Sequence, residues 1–282
     1  MPLHEPLDET ADFLGSQGFA TARFGMILGT GFGACVQAVE QKSVVPYGSI
    51  PHFPVSTVKG HEGNLVFGAM GEASVIVMQG RIHLYEGYDA SQIAYPLEVM
   101  RRFGVEILIV TNAAGGLNPR YAAGDLMVVR QHIHPIGRHM MGNLTTGADR
   151  DPCYDEDLRA SLLQISIQRN RSVQQGILAW MPGPSFETRA EISLLKTLGA
   201  DAVTMSTVPE VLAGRRLGMR TAAVSCISNV WTGRIGESAD VADVVSTVES
   251  SAGLCSDLLV RLVRLVRQIG LAGRDHRMAS HH

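Results

Sequence analysis

Cysteine is scarce in this chain. The four that occur, Cys35, Cys153, Cys226 and Cys255, form neither a C-x-x-C pair nor a zinc-ligand spacing. That argues against a disulfide-stapled scaffold or a zinc module and points to a reducing, cytoplasmic compartment. No charge of one sign dominates: 24 basic residues face 27 acidic ones, a net charge of −3. There is thus no global field to recruit nucleic acid or an anionic membrane, and neither is expected as a partner. No run of about 18 apolar residues occurs, so no spanning helix is expected. The opening MPLHEPLDETADFL has no basic n-region and no apolar h-region, which speaks against a signal peptide. Repeats, low-complexity tracts and linker-like stretches are missing too. A single domain over 1–282 is expected, with an ordered core of about 10–270 and a polar tail at 271–282. The tail histidines read as surface residues and HIHPIGRH (132–139) as a polar loop, so no metal site is expected.

What is present is an alternation of elements. Apolar, β-rich runs occupy 24–28, 65–70, 73–78, 105–110, 126–129, 176–181, 200–205 and 221–226. Helical patterns lie between several of them, at 91–104, 154–166, 187–199 and 209–218. Such alternation predicts an α/β fold with a largely parallel sheet. The runs at 65–70 and 73–78, joined by Gly71-Glu72, read as a hairpin, which makes the sheet mixed. A last helix is expected over 240–269, with Leu258, Leu259, Leu262, Val263, Leu265, Val266 and Ile269 apolar. Arg261, Arg264 and Arg267 would mark its solvated face; a membrane-surface stripe is the weaker reading. The stretch 136–153 is the longest loop-like region and the candidate lid.

The segment LGTGFGA (28–34) matches the G-x-G-x-x-[GA] spacing of a dinucleotide loop at Gly29, Gly31 and Ala34. That reading needs an acidic residue about 20 positions on. VVPYGSIPHF (44–53) offers none; Glu40 comes too early and Glu62 too late. What remains is a glycine turn into a helix start, with the Thr30 hydroxyl beside it, which suits a small anion. A plain strand–helix turn would leave the same spacing.

Other segments supply chemistry. In QGRIHLYEGY (79–88), Arg81, His83 and Tyr85 alternate, so an extended chain would turn all three to one face. Arg and His there suit a phosphate, the guanidinium bidentately, although an edge strand with polar residues would read alike. VEILIVTN (105–112) runs into Ala113, Ala114, Gly115 and Gly116, small residues that let a ligand approach the backbone or simply make a turn. In GPSFET (183–188), Thr188-x-x-Glu191 fits a capping box, leaving Phe186 as a plate beside the Glu187 carboxylate. MSTVPE (205–210) repeats that logic: Thr207-x-x-Glu210 as cap, Pro209 in the first turn, Ser206 at the helix start. Asn229 follows the strand 221–226. Glu187 accepting from N1–H and Asn229 bridging O6 and N7 would together read a 6-oxopurine; a buried structural amide is the competing reading of Asn229.

In this order GTGFGA, IPHFPVSTVKGHEGNLVFG, QGRIHLYEGY, VTNAAGGLNP, GPSFET and LGADAVTMSTVPE resemble the trimeric, low-molecular-mass purine nucleoside phosphorylases over about residues 10–265. The resemblance implies an α/β domain with a mixed, partly barrel-like sheet flanked by helices, in a homotrimer. It implies a phosphate site from Thr30, His61, Arg81, His83, the Ala113 backbone and Ser206. Tyr85 and Met205 would lie against the ribose, and Ala113, Ala114, Gly115, Phe186, Glu187 and Asn229 around the base. His83, Glu187 and Asn229 would carry the catalysis. The chain departs from the pattern at Asp243, where a His against the 5′-hydroxyl is common, and at Val230 and Trp231. Asp243 and Trp231 are then the candidate 5′ contacts. Loop 136–153 is shorter than usual and holds no Phe to serve a neighbouring subunit.

The implied activity is reversible phosphorolysis of purine (deoxy)ribonucleosides, inosine and guanosine preferred, in purine salvage. Inorganic phosphate would be co-substrate and no cofactor is expected. The nearest alternative is a methylthioinosine or methylthioadenosine phosphorylase of the same fold. More distant are an NAD-dependent oxidoreductase and a non-catalytic nucleoside-binding protein.

Overall fold

A computed structural model describes residues 4–58, 61–145, 152–169, 173–232 and 240–279. The chain opens with α1 (His4–Ser16), β1 (Phe24–Leu28), β2 (Glu40–Pro46), β3 (Asn64–Met70), β4 (Ala73–Gln79) and α2 (Ala90–Arg102). There follow β5 (Ile107–Gly116), β6 (Leu126–Ile133), α3 (Glu156–Gln168), β7 (Gln174–Trp180) and α4 (Arg189–Thr197). β8 (Ala202–Thr204), α5 (Val208–Arg216), β9 (Arg220–Val230) and α6 (Val241–Ala279) complete it. The strands make one sheet in the order β2-β3-β4-β1-β5-β8-β7-β6-β9. β5 also pairs with β9, so five strands close on themselves and the rest extend as an open wing. The sheet is mixed, as the alternation and the hairpin predict: β1 pairs in parallel with β4 and β5, while β3–β4 is antiparallel.

Burial explains the layers. β1 is buried at all five positions, the continuous apolar run of a strand covered on both faces. Its side chains alternate between two cores. Ile27 joins the core that contains Leu14 of α1, Leu97 of α2 and Val211 of α5. Met26 and Leu28 join Leu158 and Leu162 of α3 with Leu258 and Leu262 of α6. The solvated-face reading of α6 holds: Arg261 pairs with Asp257 at 2.9 Å and Arg267 with Glu72, while Leu258, Leu259, Leu262, Val263 and Val266 are buried. No described helix is long and apolar enough to cross a membrane.

Several expectations are corrected. The strand expected to end at Asn112 runs on through the Ala-Gly stretch to Gly116, because β8 and β9 hydrogen-bond to its two sides there. The glycine loop opens a 3-10 turn at Gly33–Ala38 and not an α-helix. Arg81, His83 and Tyr85 do not share one extended strand: β4 ends at Gln79, and Tyr85 lies in a 3-10 turn over Leu84–Glu86. α1 and the edge strand β2 add to the expected elements; β2 is mostly exposed and polar, so it carries no hydrophobic alternation to read. α6 includes 271–279 of the polar tail. In 136–153, 3-10 turns span Arg138–Thr145, and 146–151 lie outside the described residues.

Candidate active site

The carboxyl ends of β1, β5 and β9, the segment after β4 and the loop before α5 surround a cavity of about 590 Å³. Its lining brings together Thr30, Arg81, His83, Tyr85, Ala113, Ala114, Gly115, Phe186, Glu187, Met205, Ser206, Asn229 and Trp231, from across the chain. Two residues expected at the site stand off it. His61 does not line the cavity but backs it, its Nε2 3.1 Å from the Thr30 hydroxyl. Asp243 is exposed on the first turn of α6, whereas its neighbours Val241 and Val244 line the cavity.

One end is deep and heavily tied. Arg81 is 2% exposed; its Nη1 donates to Glu210 Oε1 (3.0 Å) and Thr207 Oγ1 (3.2 Å), and its Nη2 to the Thr111 carbonyl. Nε has no partner and Nη2 keeps a second N–H, so the two-nitrogen end of the guanidinium is largely engaged by protein and two donors remain. Burial pulls the Arg81 pKa down and the Glu210 carboxylate opposes this. The side chain reaches this position across Gly29, where a Cβ would stand 2.7 Å from the Thr111 carbonyl and 3.0 Å from Nη2. A side chain at position 29 would displace the guanidinium.

His83 is held by Glu86, whose Oε1 takes the His83 backbone N–H at 2.7 Å and lies 3.0 Å from Nδ1. Nε2 is left to face another partner. Burial alone would raise the Glu86 carboxyl, but hydrogen bonds from His83 and from the Thr57 N–H and hydroxyl bring it down to about 2, so it is ionised. His61, His83 and Tyr85 form a column, with ring centroids 5.2 Å and 4.6 Å apart. Burial takes His61 down to about 4 and Tyr85 up to about 12, leaving both neutral at pH 7. His61 Nδ1 lies 2.6 Å from the Arg81 carbonyl and 3.0 Å from its N–H. It serves one at a time; donation to the carbonyl is the shorter contact and leaves Nε2 to accept from Thr30. Ser206, 8% exposed, lies 3.4 Å from Thr204 Oγ1, which donates to the Ala113 carbonyl at 3.1 Å.

The other end is open. Thr188 and Glu191 form the expected capping box, Glu191 accepting from the Thr188 N–H at 2.7 Å. This sets Phe186 (49% exposed) and Glu187 at the rim. Burial raises the Glu187 pKa, with Glu191 adding to the rise and a backbone hydrogen bond opposing it. Asn229 sits opposite Gly115 in the β5–β9 ladder, and its Oδ1 accepts from Ser228 at 2.8 Å. That bond orients the amide and leaves Nδ2 for a partner. Between the two ends, Met205 and Tyr85 pack over Gly183, where a Cβ would meet Met205 Sδ at 2.5 Å.

The expected Thr207-x-x-Glu210 cap is absent. Thr207 makes no side-chain bond to the helix start, and Glu210 turns inward to Arg81. Glu86, Glu210, Thr204 and Ser228 are the site residues that sequence reading missed. Of these only Glu86 carried a signal, since His83-x-x-Glu86 has the capping-box spacing that the structure realises.

The sequence model of the phosphorylase superfamily matches residues 23–264. Purine nucleoside phosphorylase 1 of Geobacillus stearothermophilus is 40% identical over 249 residues, 86% of this chain and 91% of that protein. Purine nucleoside phosphorylase of Rattus norvegicus is 40% identical over 237 residues, 80% of this chain and 82% of its own. Crystal structures of Schistosoma mansoni purine nucleoside phosphorylase, one in complex with adenosine and one with inosine, superpose with TM-scores of 0.85 and 0.84. Each is 33% identical and covers 92% of this chain and 96% of the other. The closed five-stranded ring with its flanking helices is therefore that family's architecture, and the chain belongs to the phosphorylase superfamily.

Proposed function

We propose that the protein catalyses reversible phosphorolysis of purine nucleosides, releasing the base and forming (deoxy)ribose 1-phosphate. The observation that carries the reading is the division of one cavity into a buried cationic end and an open amide–carboxylate end, with Tyr85 and Met205 between them. Phosphate at the first end meets Arg81 Nε, His83 Nε2 and the Ser206 and Thr30 hydroxyls. It is then both the nucleophile and an anion beside the oxocarbenium-like sugar that forms as the glycosidic bond breaks. Asn229 stabilises the leaving purine through N7 and O6, and Glu187 accepts from N1–H. This is positioning and electrostatic preorganisation, with no covalent enzyme intermediate. His83 is the group placed to move a proton with phosphate, because Glu86 fixes its Nδ1 side.

Asn229 favours 6-oxopurines, hence inosine and guanosine, since its Ser228-oriented amide offers Nδ2 as donor to O6. One observation favours a second substrate, a 5′-modified 6-oxopurine nucleoside. Trp231, Val241 and Val244 line the cavity while Asp243 points away from it. A homotrimer and a cytoplasmic location complete the proposal; exposed Phe186, Leu194 and Leu198 supply apolar surface for a neighbouring subunit. The test is base release from inosine, guanosine, adenosine and methylthioinosine, with and without phosphate. Phosphate-dependent release, fastest from inosine or guanosine, is expected; phosphate-independent release would mean a hydrolase.

A further inference from the structure

We propose that Thr207 is a positioning residue for the phosphate end, held in a strained turn so that Ser206 and Arg81 converge on one anion. Its backbone has φ 73° and ψ −51°, a region that β-branched residues almost never occupy. The Val208 N–H donates to the Ser206 carbonyl at 2.8 Å, closing a three-residue turn of the rare positive-φ kind around Thr207. Such conformations persist only where the surroundings over-determine them, and they concentrate at functional sites.

The surroundings here are specific. Thr207 is completely buried, and its hydroxyl oxygen accepts from Arg81 Nη1 at 3.2 Å. Glu210, one turn into α5, accepts from the same nitrogen at 3.0 Å. The turn, the helix start and the guanidinium are thereby one unit, anchored on the far side by Nη2 donating to the Thr111 carbonyl. With three of the five N–H donors used, the buried Nε and the second N–H of Nη2 remain for an anion. The fold alone does not ask for this. A Thr at the N-cap ordinarily has extended backbone and caps its helix with its own oxygen. Thr207 does neither, so its side chain leaves the α5 N-terminus uncapped beside Ser206. The strain thus maintains the spacing between Ser206, on the turn, and Arg81, which the turn holds.

The inference rests on the phosphorolysis reading, and the experiment separates the two. The whole protein and its Thr207→Gly and Thr207→Ser variants are compared for phosphate KM, inosine KM and thermal unfolding. Glycine adopts φ 73° without strain, which offsets much of the loss of the buried side chain, so Thr207→Gly is expected to fold with an unfolding midpoint close to the parent's. Its phosphate KM should nevertheless rise about tenfold or more, the range of a lost hydrogen bond to a charged group, with the inosine KM within about twofold. Thr207→Ser, which keeps the hydroxyl, should stay within about threefold of the parent for phosphate. An unchanged phosphate KM in Thr207→Gly overturns the proposal, as does a joint rise of both KM values with a lower midpoint, the mark of a merely structural residue. If the parent shows no phosphate-dependent cleavage, the functional reading fails. Calorimetric titration of inorganic phosphate into the same three proteins then decides the Thr207 claim: weaker binding by the glycine variant alone supports it, and equal binding or none rejects it.

Discussion

The two ends of the cavity are built differently. At the deep end Arg81 and His83 are buried and Thr30 is half-buried, and each is held by a second residue: Arg81 by Glu210, His83 by Glu86, Thr30 by His61. At the other end Phe186 is half exposed, Glu187 and Asn229 are partly exposed, and the Ser228 hydroxyl donates to Asn229 Oδ1 at 2.8 Å. The first end is assembled before any ligand arrives, which is what electrostatic catalysis requires. The second is open, which suits the proposed entry and release of a flat base. In the proposed reaction the chemistry belongs to the tied end and the selectivity to the open one.

Glu210→Ala presses hardest on this contrast. Removing one partner of a buried pair leaves an uncompensated charge, and a loss of about 3–5 kcal/mol in unfolding free energy is expected. The exposed Arg102–Asp8 pair, at 2.8 Å, should by contrast cost under about 1 kcal/mol when Arg102 is replaced by Ala. Denaturant titration checks both; equal effects would erase the difference between the buried tie and a surface one.

Asn229→Asp acts at the open end, on substrate choice. A carboxylate cannot donate to O6, so kcat/KM for inosine relative to adenosine should fall about 100-fold with little change in phosphate KM. Unaltered inosine and guanosine kinetics would remove Asn229 from base reading.

Both substitutions also mark where the sequence was legible. Arg81, His83, Glu187 and Asn229 were identifiable because each is a chemically rare choice at a strand end or helix start. Their partners were not. Glu210 lies 129 positions from Arg81, and no local pattern announces that approach. The Thr207-x-x-Glu210 spacing even pointed to a cap, because the positive φ of Thr207 comes from tertiary contacts and not from its own propensity. The fold was legible wherever burial imposed periodicity, as in β1 and α6, and illegible in β2, whose exposed polar edge has no pattern.

The smallest effect expected is a pH dependence. The charge-assisted bond proposed from a purine N1–H to Glu187 needs the ionised carboxylate, and burial raises the Glu187 pKa from its ordinary value. KM for inosine should therefore be flat above that raised value and climb as pH falls through it, by about tenfold per unit at the limit. Glu187→Gln should abolish the climb. A profile identical in the two proteins would detach Glu187 from the base.

The central claim is that phosphate, held at the buried end, attacks the sugar. Phosphorus NMR of a reaction with inosine and inorganic phosphate tests it most directly. Ribose 1-phosphate appearing mole for mole with hypoxanthine is the expected result. Free ribose forming while the phosphate signal stays unchanged would contradict it.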